Sequence, residues 1–485
     1  MSKKKVNYRI VKVPETESEK VKKSLNYSVK DGAAAAAHGG VTNTYMSPFA
    51  IALGATNQQI GLLTSIANLL APIFQLRALK SLRKGISRKK IVLTWVLLQS
   101  LILIPILLIP FLFEENRIPI LIFLVVIYTI ISHYPGPTWA SWIGDLVPSR
   151  ARGEYFGKRN RIAGSIALVV TILAGLVLNQ FTDDKVFLGF ALIFFAAVLF
   201  RLISLYYLYL KYEPEFVING EEKFSLIKFV RKMRGTNFSR FVLYATFMTL
   251  AASISGPFFA VYMLKSLQFS YLTFSAVIIT GSIGSLLVMV HWGKVADKYG
   301  NVSILRITGF ILPLLPILWI FAKGNLYFIL AIQLIAGIVW SGFNLSVFNF
   351  INDSSTQQQR ATFFTYFNIL NGIGIFIGAN LGGFLSNFSI PIFPGFFASP
   401  FFTVFFISGI LRFINSVIFL PKIKEVRPVE SGKPRIEFFG IEPMVGLVRK
   451  AVVGIYIGSS RIRKIRWRRW FGTIFYHDLE KLQPK

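Results

Sequence analysis

Few side chains in the apolar part of this chain could do chemistry. His38 and His133 lie within long apolar runs, and an imidazole titrates near neutrality. Either could carry a proton or hydrogen-bond a polar solute. The competing reading is a buried imidazole bonded to a backbone carbonyl. Trp340, Ser341 and Asn344 are spaced i, i+1, i+4, so the indole and the amide share a helix face. An aromatic platform beside an amide suits a sugar ring or another neutral polar solute. Helix packing through one interhelical hydrogen bond accounts for the same pattern.

A second set is charged and duplicated. Ile143, Asp145, Arg152, Phe156, Asn160, Gly164, Leu173 and Gly175 recur 208 positions later as Ile351, Asp353, Arg360, Phe364, Asn368, Gly372, Leu381 and Gly383, with no gap. Arg201 and Arg412 form a further pair, in FRLISL and LRFINS. A charge deep in a membrane needs a partner. These acids and bases therefore read as inter-helix ion pairs, the Asp145 and Asp353 sets forming a pseudo-symmetric gate at the inner face. Arginines that merely snorkel to the interface are the alternative. No carboxylate lies at ligand spacing from either histidine, so no metal site is expected. The chain has no cysteine, which removes disulfide and thiolate chemistry. No cofactor is implied.

The elements that must position these residues are apolar helices. Of 485 residues, 54% are hydrophobic, and the mean hydropathy is +0.57. A helix needs about 20 apolar residues to cross a bilayer. Roughly twelve such stretches follow one another, near 31–54, 58–77, 89–113, 118–144, 156–181, 186–210, 239–264, 271–292, 302–322, 325–351, 362–387 and 399–420. The repeat divides them into halves at 31–210 and 239–421. The expected fold is all-α: an integral membrane protein of twelve transmembrane helices in two pseudo-symmetric six-helix halves. Residues 1–30 read as a mobile basic cytoplasmic tail, 211–238 as a cytoplasmic linker and 422–485 as a basic tail at the inner interface.

The net charge of +31 would suggest nucleic acid in a soluble protein. Here it reports orientation. With both termini in the cytoplasm, nearly every Lys and Arg falls on that side, and the opposite loops keep Arg117, Lys185, Lys265 and Lys323. The expectation is a multi-pass plasma-membrane protein with no nucleic-acid partner. RIRKIRWRRWF near the C-terminus interleaves cations with Trp467, Trp470 and Phe471, which suits an anionic lipid surface. The residue usage hints at a prokaryotic source. The first 30 residues hold no apolar stretch, so no cleavable signal peptide is expected.

After the eighth stretch comes GKVADKYGN, with Gly293, Asp297, Lys298 and Gly300. It resembles the G-x-x-x-D-[RK]-x-G-[RK] loop of the major facilitator superfamily, with Asn301 at the final cation position. The first-half counterpart, ALKSLRKGISRKK, aligns its glycine at Gly85 and puts Leu82 where the acid belongs. RGEYFGKRNR resembles that family's basic hinge between the fourth and fifth helices. The resemblance spans about 31–421 and implies a central cavity between two six-helix halves. It also implies alternating access for small solutes, commonly driven by protons or by a solute gradient.

The resemblance further implies that the first, fourth, seventh and tenth helices line that cavity. The candidate solute-binding residues are then His38, Asn43 and Tyr45; Ser132, His133 and Tyr134; Thr249, Ser253 and Ser255; and Trp340, Ser341 and Asn344. The deep spans contain no acid, and Asp31 sits at the mouth of the first. A cationic solute is therefore disfavoured, while coupling through histidine and facilitated diffusion both stay open. The leading expectation is a monomeric secondary transporter of a small organic solute. An efflux pump for apolar compounds and a transport-inactive receptor or scaffold are the alternatives. A membrane enzyme is not expected, because the outer loops offer only Glu114, Glu115, Asp183 and Asp184.

Overall fold

Apolar runs broken by short polar turns fold here as helices, because a lipid-facing backbone must satisfy its own hydrogen bonds. The computed structural model describes residues 16–83, 86–147, 152–181, 185–215, 235–355, 360–387 and 399–427. The helices are α1 (Glu17–Ala52), α2 (Asn57–Arg83), α3 (Arg88–Leu112), α4 (Arg117–His133), α5 (Gly136–Leu146), α6 (Arg152–Asn179) and α7 (Val186–Tyr209) in the first half. The second half holds α8 (Asn237–Val261), α9 (Tyr271–Tyr299), α10 (Asn301–Ile311), α11 (Leu314–Ala322), α12 (Leu326–Asp353), α13 (Arg360–Leu385) and α14 (Pro400–Phe419). Ten segments among the described residues are long and apolar enough to cross a membrane, α4 with α5 and α10 with α11 counting as one each. The more polar α1 and α2 pack into the same bundle, α1 on α6 and α7, and α2 on α4 and α13. They complete two sets of six.

Proline breaks the fourth and ninth spans, and side chains repair the breaks. Pro137 has no N–H to offer the carbonyl of His133, and Gln75 Nε2 donates to that oxygen at 3.1 Å. Pro313 and Pro316 likewise release the carbonyls of Gly309 and Leu312. Ser416 Oγ donates to the first at 2.7 Å and Arg412 Nη1 to the second at 3.1 Å.

The halves meet along α2 with α13 and α6 with α9. Gly61 and Gly372 let α2 and α13 touch backbone to backbone: a Cβ on either would run into the carbonyl of Ala379 or Asn68. On another face of α13, Gly374, Gly378 and Gly382 admit the α8 carbonyls of Thr246, Leu250 and Ile254. One element differs from expectation. Residues 17–30, expected as mobile tail, extend the first helix. Thr16 and Glu19 form a reciprocal capping box. Ser24 and Ser28 are buried, where Tyr212 N donates to Ser24 Oγ and Arg159 Nε to the carbonyl of Ser28. Most of the expected 211–238 linker and nearly all of the 422–485 tail lie outside the described residues.

Candidate functional site

Midway along the bundle lies a cavity of about 820 Å³. Its wall is built mainly by α8, α9 and α12, with Trp319 of α11, Arg412 of α14, Ile375 of α13, Thr64 and Asn68 of α2 and Ser47 of α1. The expected cavity residues of the seventh and tenth spans are there: Thr249, Ser253, Trp340, Ser341 and Asn344. The helical spacing that puts Trp340 and Asn344 on one face aims that face inward. Thr249 and Ser341 close their hydroxyls onto their own helices. The side chains of Ser253, Gln333 and Asn344 make no hydrogen bond within the described residues. Their donors and acceptors are left for water or a solute. Gln333, Ser282, Ser285 and Asn68 escaped the sequence reading, since nothing local marks a polar residue as cavity-facing.

Arg412, expected nearer the inner face as an ion pair, belongs to the cavity wall instead. It lies at mid-length in α14 and is 3% exposed. Nη2 donates to Ser255 Oγ at 2.9 Å and lies 3.5 Å from the Ala252 carbonyl. The guanidinium carbon stands 6.0 Å from the Trp340 ring centre, within cation–π range. No carboxylate lies within ion-pair distance of it among the described residues.

The equivalent first-half residue, Arg201, is embedded in a charged network. Its Nε donates to Gln99 Oε1 at 2.8 Å and its Nη1 to Ser204 Oγ at 3.2 Å. Ser204 passes on to Asp31 Oδ1 at 2.7 Å. Lys211 Nζ sits 3.3 Å from Asp31 Oδ2, and Arg159 Nη2 sits 3.9 Å from it. Burial pushes the Lys211 ammonium down, and the Asp31 carboxylate beside it opposes that shift. Asp31, Arg159, Arg201 and Trp139 border a separate cavity of about 240 Å³.

His38 belongs to this network and not to the larger cavity. Nδ1 is 3.0 Å from the carbonyl of Ala197, so Nδ1 carries the proton. Nε2 then accepts from the Tyr128 hydroxyl at 2.8 Å, with Gln99 Nε2 at 3.3 Å. Tyr45 donates to the Thr171 carbonyl at 2.7 Å and also bonds Ser275, tying α1 to α6 and α9. Asn43 is exposed, one turn from Ser47. The fourth span contributes nothing to the 820 Å³ wall. His133 is exposed and bonds back to Thr129, while Tyr134 stacks on Trp95 at 3.8 Å. The first half reaches the large cavity through α1 and α2 instead.

The duplicated acids meet partners inside their own halves. Arg88 Nη1 donates to Asp145 Oδ2 at 2.5 Å, and Glu213 Oε1 lies 3.8 Å from Arg88 Nε. Asn301 Nδ2 donates to Asp353 Oδ2 at 2.9 Å, and Arg427 Nε lies 3.9 Å from the same oxygen. Arg88 and Asn301 both open a third span of their half, so the pattern is pseudo-symmetric. Two further acids complete it. Glu213 accepts from Lys89 N at 3.2 Å and Glu425 from Val302 N at 2.9 Å, each at the positive end of a helix. Arg360 is exposed, and the Arg152 side chain lies outside the described residues.

In the signature loop, Asp297 lies 3.5 Å from Arg427 Nη2, and Lys298 lies over Tyr299. Gly293 has open space around it. Gly300 ends α9 at φ +85°, where a side chain would be strained and would also strike Glu425.

Comparisons with known proteins agree with this architecture. The sequence pattern described as Major Facilitator Superfamily matches residues 32–379 and, in a second register, 241–477. No curated protein matches. Among solved structures, the nucleoside transporter NupG is 12% identical, covering 83% of this chain and 99% of its own, with a TM-score of 0.61. A D-xylose–proton symporter is 12% identical, covering 85% and 99%, with a TM-score of 0.62. A bacterial homologue of the human lysosomal transporter Spinster, in an inward-facing and occupied conformation, is 15% identical, covering 84% and 98%, with a TM-score of 0.62. At these identities the likeness shows the shared fold. The apolar spans, the repeated halves and a family pattern running through both identify the chain: it belongs to the Major Facilitator Superfamily and is a multi-pass membrane protein of the transporter class.

Proposed function

We propose that this chain is a secondary transporter that moves a small organic solute across the plasma membrane by alternating access, as a monomer with both termini in the cytoplasm. The observation that carries the reading is the cavity of about 820 Å³ at mid-length, where Ser253, Gln333 and Asn344 make no side-chain hydrogen bond within the described residues. The cross-half bonds support a state open toward the termini. Tyr45 with Ser275, Lys265 Nζ with the Ala55 carbonyl at 2.7 Å and Asn380 Nδ2 with Ser65 Oγ at 2.9 Å all lie in the part of the bundle away from the termini. The Asp145 and Asp353 clusters, at the termini end, brace the halves separately. Rocking of one half on the other would break the first set and leave the second intact. The basic tail beyond 427 would rest on anionic lipid.

The test uses proteoliposomes with an internal pH dye and pools of sugars, amino acids, organic acids and drugs, with and without a proton gradient. A dye response to one pool establishes proton coupling. Isotope equilibration without a dye response establishes facilitated diffusion. Silence in both measurements overturns the transporter reading.

A further inference from the structure

We infer that the solute is a small organic anion, held in the central cavity with its charged group toward Arg412 and its body on the Trp340 ring. This rests on the transporter reading and narrows it. Among the described residues, Arg412 is the charged residue of the cavity wall, and no acid lines that wall. Its acceptors are the carbonyls of Leu312 and Ala252 and the hydroxyl of Ser255. All three are neutral. A guanidinium has five N–H donors, and Nε has no hydrogen-bond partner among the described residues. Holding a carbonyl freed by Pro316 requires a donor, but it does not require a full charge. A buried charge left unpaired is costly unless an opposite charge reaches it.

The same chain shows what a self-contained arginine looks like. Arg201, at the matching place in the sixth span, reaches Asp31 through Ser204, with Lys211 beside the carboxylate. Among the described residues nothing equivalent serves Arg412, and the cavity next to it is larger than the one beside Arg201. An anionic solute supplies the missing charge, whereas a cation would be repelled. The indole face offers area to an apolar or ring-shaped body, and Asn344, Gln333 and Ser253 offer hydrogen bonds to its polar edges. The site therefore fits a carboxylate-bearing solute better than the neutral sugar that Trp340 and Asn344 alone suggest.

The experiment is uptake into proteoliposomes of labelled lactate, benzoate, nicotinate and glucuronate, each beside its uncharged amide, with neutral sugars in parallel. At least one acid should enter faster than its amide by about tenfold or more. Arg412→Gln should erase that preference and Arg412→Lys should keep part of it. Ser255→Asp places a counter-ion where Nη2 now donates, recreating the Asp31 arrangement. It should fold at least as stably as the parent and still lose the acid preference. Acids and amides entering alike, or an acid preference that survives both Arg412→Gln and Ser255→Asp, overturns the inference. Neutral solutes entering while every acid is excluded overturns it and leaves the transporter reading intact. No uptake of any solute overturns both.

Discussion

Arg201 and Arg412 occupy matching places in the two halves, and the bundle treats them in opposite ways. Around Arg201 the protein supplies its own acid, a second and third cation and a hydrogen-bond chain running on to Gln99 and His38. Around Arg412 the described residues supply neutral oxygens and an indole face. A duplicated scaffold therefore keeps the position of a charge while diverging in what the charge does. One copy meets the protein's own acid through Ser204, and the other meets none among the described residues.

The largest expected effect breaks the closed copy. Asp31→Asn removes the carboxylate from three cations, and a buried pair that loses one partner costs about 3–5 kcal/mol. Thermal unfolding of the detergent-solubilised protein should show a large fall in Tm, and adding Lys211→Met should return part of it. An unchanged Tm would mean that the network contributes nothing to the fold. Arg412→Gln should cost less, about 1–3 kcal/mol, because it leaves the Leu312 carbonyl and Ser255 without a donor but orphans no charge. A loss exceeding that of Asp31→Asn would break the comparison.

A smaller effect separates the two termini-end braces. Asp145→Asn takes one carboxylate from a buried Arg88 and leaves Glu213 beside it. Asp353→Asn touches a half-exposed pair and keeps an amide that can still meet Asn301. Both should cost about 1 kcal/mol or less, with Asp145→Asn the larger. The reverse order in the same unfolding assay would show that Arg427, rather than Asn301, carries the second brace. The smallest effect is expected at the helix starts. Glu213→Gln and Glu425→Gln each remove a carboxylate from a helix N-terminus, worth about 0.3–1 kcal/mol, and Glu213→Gln should lose the more, because Glu213 also stands 3.8 Å from Arg88.

Much of this architecture is legible in the chain itself, for reasons that are local. Spans show as apolar runs because lipid tolerates little else, and Trp340 and Asn344 share a face because the helix period is built into their spacing. The breaks after His133 and Ile311 follow from Pro135, Pro137, Pro313 and Pro316. The extension of α1 back to Glu17 is also local, in the Thr16 and Glu19 pair, but charge-rich composition hides it. His38 took the bland option of a carbonyl partner, and no local feature said which carbonyl. His133 and Tyr134 read alike as cavity candidates, yet His133 is exposed and Tyr134 stacks on Trp95, away from the residues that line the large cavity.

By itself, the sequence determined the class of protein, the count and order of spans, the pairing of halves and the places where charge had to be accommodated. Each follows from composition, period and repetition along the chain. Only the tertiary structure decided which charges meet. Asp145 finds Arg88, Asp31 finds Lys211, and Arg412 finds no acid at all among the described residues. The physical reason is that ion pairing in a low-dielectric bundle depends on distances across helices, which span 57 residues of chain in the first case and 180 in the second. No spacing rule along one helix reaches that far.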